Sequence, residues 1–119
     1  MPIIKCDQLP WSEIAHELVG AEHGLAITLL FVEAEPGRGP TLHRHPYAEV
    51  LIVQEGEADI TIDGERHEAR GGDIVVVLPT QAHSFVNSDS GPLRQIDIHL
   101  SPSSSTEWLE DRDEEEGNG

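Results

Sequence analysis

The sequence predicts an all-β fold, a barrel or sandwich of short strands. Three observations predict it. Several stretches of four to ten residues alternate apolar and polar side chains or run continuously apolar, the two patterns of a half-buried and a buried strand. Gly, Pro and Asp-Gly clusters separate them at regular spacing. Helical periodicity is confined to one short piece near the N-terminus. At 119 residues the chain has room for one domain.

Taken in order, residues 1–24 read as an N-terminal arm. Trp11, Ile14 and Leu18 recur at helical spacing, so Trp11–Leu18 can form a short helix capped by Ser12, one face against the barrel. His16 and His23 fall outside any ligand pattern and read as surface residues. Residues 25–100 read as the barrel. Leu25–Ala34 is apolar on both faces and is expected to be buried on both, with the second face meeting a second subunit or the arm. A turn cluster, Glu35–Pro40, leads to a strand containing His43 and His45, which Pro46 interrupts. Val50–Val53 is the next strand, Ala58–Ile62 alternates with one wet face, and Asp63-Gly64 is a two-residue hairpin signal that returns the chain as Glu65–Ala69. His67 lies in this charged hairpin and is expected to be solvated. Ile74–Leu78 is continuously apolar and reads as a buried strand; His83 and Phe85 share a face of the next one. Asn87 reads as a turn or strand-end residue. Leu93–Leu100 is the last barrel strand. Residues 101–119 read as a loop, a short helix start capped by Thr106, and an acidic disordered tail over 111–119.

The chemistry concentrates between Gly37 and Gly56. His43 and His45 are two apart and so point to one side of an extended strand. Glu49 opens the following apolar run. Two imidazoles and a carboxylate on adjacent strands make a site for a divalent transition metal. Arg44 points the opposite way from the two histidines and reads as surface; Tyr47 flanks the ligands.

Gly37, His43, His45, Glu49 and Gly56 fill the pattern G-x5-H-x-H-x3-E-x6-G with every gap matching. This resembles the first motif of the cupin family. The second motif of that family, G-x5-P-x-G-x2-H-x3-N, is similar to Gly72–Asn87, with Gly72, His83 and Asn87 at the right offsets; Leu78 stands at the Pro position and Thr80 at the Gly position. The resemblance implies a double-stranded β-helix (the cupin barrel, or jelly roll) with short N- and C-terminal helical or irregular extensions. It also implies that His83 joins His43, His45 and Glu49 as metal ligands.

Three neutral nitrogens and one carboxylate leave a divalent ion near a charge of +1, and octahedral geometry leaves two positions open. An anionic, bidentate small molecule would neutralise the site. The ligand set suits Fe, Mn, Ni, Cu or Zn, and the lack of cysteine argues against a closed structural zinc site. Cupins include oxygen-dependent, isomerising and non-catalytic members, so three functions are carried. The first is a metal-dependent enzyme of dioxygenase type acting on a small organic substrate. The second is a non-redox Lewis-acid isomerase, epimerase or cyclase, and the third a small-molecule binding or sensing module. On the last strand, Ile96, Ile98 and Leu100 share one face and Gln95, Asp97 and His99 the other. If the polar face lines the pocket, His99 or Asp97 is a candidate general base. An apolar face more often takes the core, so the polar face is expected outside.

The formal charge is −16, from 23 acidic and 7 basic residues, with seven acids and one arginine from Glu107 onward. Such a surface repels phosphate backbones and anionic bilayers, which excludes nucleic acid and membrane partners. No apolar run approaches the roughly 20 residues that span a bilayer. The N-terminal residues, Met-Pro-Ile-Ile-Lys-Cys-Asp, do not read as a secretory signal, having no basic region followed by a long apolar one, and the lone Cys6 fits a reducing cytoplasm. The resemblance, with the two-sided strand at 25–34, implies a homodimer.

Overall fold

The computed structural model describes residues 3–110. The acidic stretch at 111–119 lies outside the described residues. After a 3-10 turn at Cys6–Gln8, the chain forms β1 (Trp11–Ser12), β2 (Ala15–Leu18), a second 3-10 turn at Gly20–His23 and β3 (Thr28–Ala34). There follow β4 (His43–Arg44), β5 (Glu49–Glu55), β6 (Glu57–Ile62), β7 (Glu65–Arg70), β8 (Ile74–Val77), β9 (His83–Asn87), β10 (Leu93–His99) and β11 (Glu107–Trp108). All pairings are antiparallel. They build a six-stranded sheet, β1-β2-β3-β10-β5-β8, and a five-stranded sheet, β11-β4-β9-β6-β7. Leu30, Val32, Leu51, Val53 and Leu93 from the first meet Ala58, Ile60 and Phe85 from the second in one apolar core. This is the all-β, double-stranded β-helix architecture expected from the sequence. No helix among the described residues is long and apolar enough to cross a membrane.

The expected helix at Trp11–Leu18 is instead the β1–β2 hairpin, turning at Glu13 with φ 57°. A helix this short is marginal in water. The free edge of β3 offers ladder hydrogen bonds, and β2 takes them, Ala15 opposite Val32 and Leu18 opposite Leu29. Ile14 and Ala15 are buried, while Trp11 stays exposed with its ring edge-on to His16. The helix start expected after Thr106 is likewise a strand: β11 pairs with β4, Trp108 opposite His43.

Two expectations about facing are corrected. Ile74–Leu78 is not a buried strand. β8 is the edge of its sheet, and Ile74 and Val76 are 64% and 56% exposed. On β10 the polar face wins the interior: Gln95, Asp97 and His99 are buried with Leu93, while Ile96 and Ile98 point outward and Leu100 is exposed. Register dictates this. His99 lies between Thr28 and Glu49, Asp97 between Leu30 and Leu51, and Gln95 between Val32 and Val53. The period-two rule assumes a wet outer face. Here the outer face is itself apolar, in two rows across four strands: Phe31, Ile96, Ile52, Ile74 and Leu29, Ile98, Val50, Val76.

Thr80, at the motif's Gly position, adopts φ 68°, and its N–H donates to His45 O at 2.8 Å. A β-branched residue there is strained by about 1–2 kcal/mol. Thr80→Gly is expected to stabilise the protein by about 1 kcal/mol after the added unfolded-state entropy of glycine, read as a higher urea midpoint.

Candidate metal centre

Two cross-strand pairs, one on each sheet, face each other inside the barrel. On the six-stranded sheet Glu49, at the start of β5, lies beside His99 at the end of β10. On the five-stranded sheet His43 of β4 lies opposite His83 at the start of β9. His45 follows β4, just before Pro46 turns the chain across to Tyr47 and β5. All five are buried. His43, His45, Glu49 and His83 each bring one ligand atom within 4.8 Å of the others. The four residues expected from the motifs are thus brought together.

Each of these three histidines is held by the main chain. Nδ1 of His43 donates to Thr41 O at 2.7 Å, Nδ1 of His83 to Gln81 O at 2.9 Å, and Nδ1 of His45 to Ser105 O at 2.8 Å. A carbonyl oxygen only accepts, so each Nδ1 carries a proton, and in the neutral ring each Nε2 then carries a lone pair. The Nε2 atoms of His83 and His45 face Glu49 Oε1 at 3.0 and 3.2 Å.

Ser105 and Trp108 had no signal in the sequence. Ser105 O orients His45, Ser105 N–H donates to the Tyr47 hydroxyl at 3.1 Å, and the Trp108 ring lies over His43 with centroids 5.0 Å apart. Their segment is tied down by the Arg44 guanidinium, which grips Glu107 through two hydrogen bonds at 2.8 and 3.1 Å. Arg44 therefore points outward as expected. A depression of about 260 Å³ between Arg44–Pro46 and Ser105–Glu107 reaches the outer edge of His45. Burial pushes the Tyr47 hydroxyl up to about 12, against the Ser105 N–H that lowers it.

The weak catalytic candidates, His99 and Asp97, both point inward, contrary to the expected facing. His99 Nε2 is 3.2 Å from Glu49 Oε2, and its Nδ1 is 2.6 Å from the Tyr47 hydroxyl. Asp97 accepts Gln95 Nε2–H at 2.7 Å and lies one layer deeper. Asn87 is a structural clamp at the end of β9, its Nδ2 donating to Ala34 O and Gly91 O. His67 and His23 are exposed; His16 is half-buried, with Nδ1 donating to Leu9 O.

Burial drives the Asp97 carboxyl far above its ordinary range, and the Glu49 charge adds to it. As pH rises, the unfolded chain releases this proton first, so Asp97 costs stability progressively from about pH 4 upward. Metal-free Asp97→Asn is expected to be more stable than the wild type at pH 7. The gain should vanish toward pH 3, as measured by urea unfolding across that range.

The cupin domain family model matches residues 30–99. No curated protein matches the chain. Among solved structures it is similar to an uncharacterized conserved protein with a double-stranded β-helix domain from Klebsiella pneumoniae, at TM-score 0.73 and 22% identity, covering 93% of this chain and 99% of that one. It is also similar to oxalate decarboxylase from Bacillus subtilis (TM-score 0.74, 24% identity, 87% of this chain and 30% of that one), a protein with Mn(II) centres. An oxalate oxidase gives TM-score 0.71 and 21% identity over 80% of this chain and 54% of that one. The chain thus spans about half of the oxidase and less than a third of the decarboxylase, and at these identities the likeness is one of fold. With the family model matching more than half its length, the chain belongs to the cupin domain family.

Proposed function

We propose that His43, His45, Glu49 and His83 bind one divalent transition metal, and that the protein is a small metal-dependent enzyme acting on an anionic, chelating organic substrate, with oxygen-dependent oxidation as its chemistry. One observation carries the metal reading. The Nε2 lone pairs of His45 and His83 converge on an anionic carboxylate oxygen in a dry interior. Acceptors facing an acceptor repel there, and a cation among them turns the repulsion into coordination.

The substrate class follows from charge. No lysine or arginine is among the buried residues described. Glu49 is the one carboxylate among the four proposed ligands and brings one negative charge. A divalent ion therefore leaves about one positive charge, which an anionic oxygen ligand would neutralise. The bound metal would supply Lewis acidity, or electrons if it is iron, manganese or copper. The chain's own groups orient the ligand and exclude water: Trp108 covers His43 and Ser105 fixes His45. Oxalate-acting enzymes among the similar folds are in keeping with a small carboxylic acid.

The test is oxygen uptake by ferrous- and manganous-loaded protein across a panel of small dicarboxylic, keto and enolic acids. Uptake that depends on both metal and acid supports the reading. Turnover of an acid without oxygen uptake would assign Lewis-acid isomerisation or cyclisation instead. Saturable binding without turnover would assign a binding or sensing module.

The outer face of the six-stranded sheet supports a homodimer. Its two apolar rows end at the open β8 edge, where Ile74 and Val76 are exposed, and a patch of this kind marks an interface. Light scattering at micromolar concentration is expected to give twice the chain mass, and Ile74→Lys with Val76→Lys to halve it. Free Cys6 is exposed and is in keeping with a cytoplasmic setting.

A further inference from the structure

Four buried imidazoles surround Glu49, and one is bonded differently. His43, His45 and His83 each spend Nδ1–H on a backbone carbonyl. His99 Nδ1 meets a hydroxyl instead, that of Tyr47, at 2.6 Å. This hydroxyl receives the Ser105 N–H at 3.1 Å and has one proton of its own to give. The His45 Nδ1 lies farther from it, at 3.4 Å, and already needs its proton for Ser105 O. The Ser104 hydroxyl near the phenol donates to Glu17 at 3.0 Å. His99 Nδ1 is the closest acceptor for the phenolic proton. On the other side of the ring, His99 Nε2 stands 3.2 Å from Glu49 Oε2, a close approach that is not aligned as a hydrogen bond, and neither atom has a hydrogen bond to any group described. A lone pair on that nitrogen would face a carboxylate oxygen; an N–H would face it favourably.

We propose that Tyr47 holds His99 in the tautomer opposite to that of its three neighbours, with the proton on Nε2. His99 is then not a metal ligand. It is a positioning residue whose N–H engages Glu49 Oε2, leaving Oε1 to join the three lone-pair nitrogens, and it offers a donor to an anionic oxygen bound beside it. The inference deepens the proposed metal site and rests on that reading. It also separates two roles that composition cannot: four histidines share one cavity, and the partner on the far nitrogen decides which of them bind metal.

Ring-nitrogen NMR of histidine-labelled protein, titrated with zinc, tests it. In the metal-free wild type His99 should show a protonated Nε2 and a bare Nδ1, the reverse of His43, His45 and His83. On adding zinc, the Nε2 signals of those three should move to metal-bound positions while the His99 ring keeps its proton on Nε2. A zinc-bound His99 Nε2, or a proton on its Nδ1, would overturn the proposal. If no histidine responds to zinc, the metal reading fails on its own, and the His99 tautomer still decides the Tyr47 part. In variants, His99→Leu should weaken zinc binding by about 10- to 100-fold. His99→Gln, which keeps an N–H near the Nε2 position, should recover affinity to within about threefold of wild type. Tyr47→Phe should abolish the single tautomer at His99 in the same spectra. Equal losses in the Leu and Gln variants would count against the donor role.

Discussion

Protein purified without a histidine tag is expected to carry about one divalent transition metal ion per chain, and His45→Ala less than about a tenth of that, by elemental analysis. The expectation rests on the convergence at Glu49. His45 is the proposed ligand that comes from the turn between the sheets, and its Nε2 lies 3.2 Å from Glu49 Oε1. Removing it takes one of four donors and leaves the carboxylate facing fewer partners. Loss of a ligand should cost more than the roughly 10- to 100-fold typical of losing an outer-shell partner. The apolar core, built around Leu51, Ile60 and Phe85, is untouched, so the circular dichroism spectrum should not change. Metal should also raise the unfolding free energy of the wild type, by about 2.7 kcal/mol at one hundred times its dissociation constant. The variant should show little of this gain. A wild type that stays empty after reconstitution with ferrous, manganous and zinc ions would defeat the metal reading.

Gly39→Ala is expected to be among the most damaging single substitutions outside the ligands. A Cβ at Gly39 would meet Phe85 O at 1.9 Å and Phe85 C at 2.8 Å. Both are backbone atoms of β9, the strand that begins with His83, so no side chain can swing aside. Either the loop before His43 or β9 must move, and these lead into the proposed ligands His43 and His83. A loss of about 3 kcal/mol or more is expected in urea unfolding, with weaker metal binding in whatever remains folded. Gly37 makes the contrast. It has φ +82° with open space around the Cβ position. Gly37→Ala should cost only the left-handed backbone strain, about 1–2 kcal/mol, and leave metal content unchanged. If Gly39→Ala were no worse than Gly37→Ala, the close packing of this loop on β9 would not be what holds the site.

Much of the site was legible because its parts are local. His43, His45 and Glu49 sit within seven residues, and a strand of alternating faces brings two imidazoles to one side whatever the rest of the chain does. His83 came from the spacing of a second motif. The residues around them left no such mark. Tyr47 touches His99 across 52 residues, and Ser105 orients His45 across 60. These contacts follow from strand order, and nothing in the sequence near Ser105 or Trp108 marks them as part of a metal centre. The two short helical readings failed for a related reason. Trp11–Leu18 and the residues after Thr106 each lie beside a free sheet edge, and ladder pairing with β3 and β4 overrode weak local spacing.

By itself the sequence determined the fold class, the turns and the four converging residues, since each depends on strand periodicity and motif spacing along the chain. Tertiary structure alone decided which face of β10 turns inward. Alternation divides Ile96 and Ile98 from Gln95, Asp97 and His99 but does not say which set is inside. That choice was made by register, which places His99 beside Glu49, and by an outer sheet face that is apolar from β3 to β8.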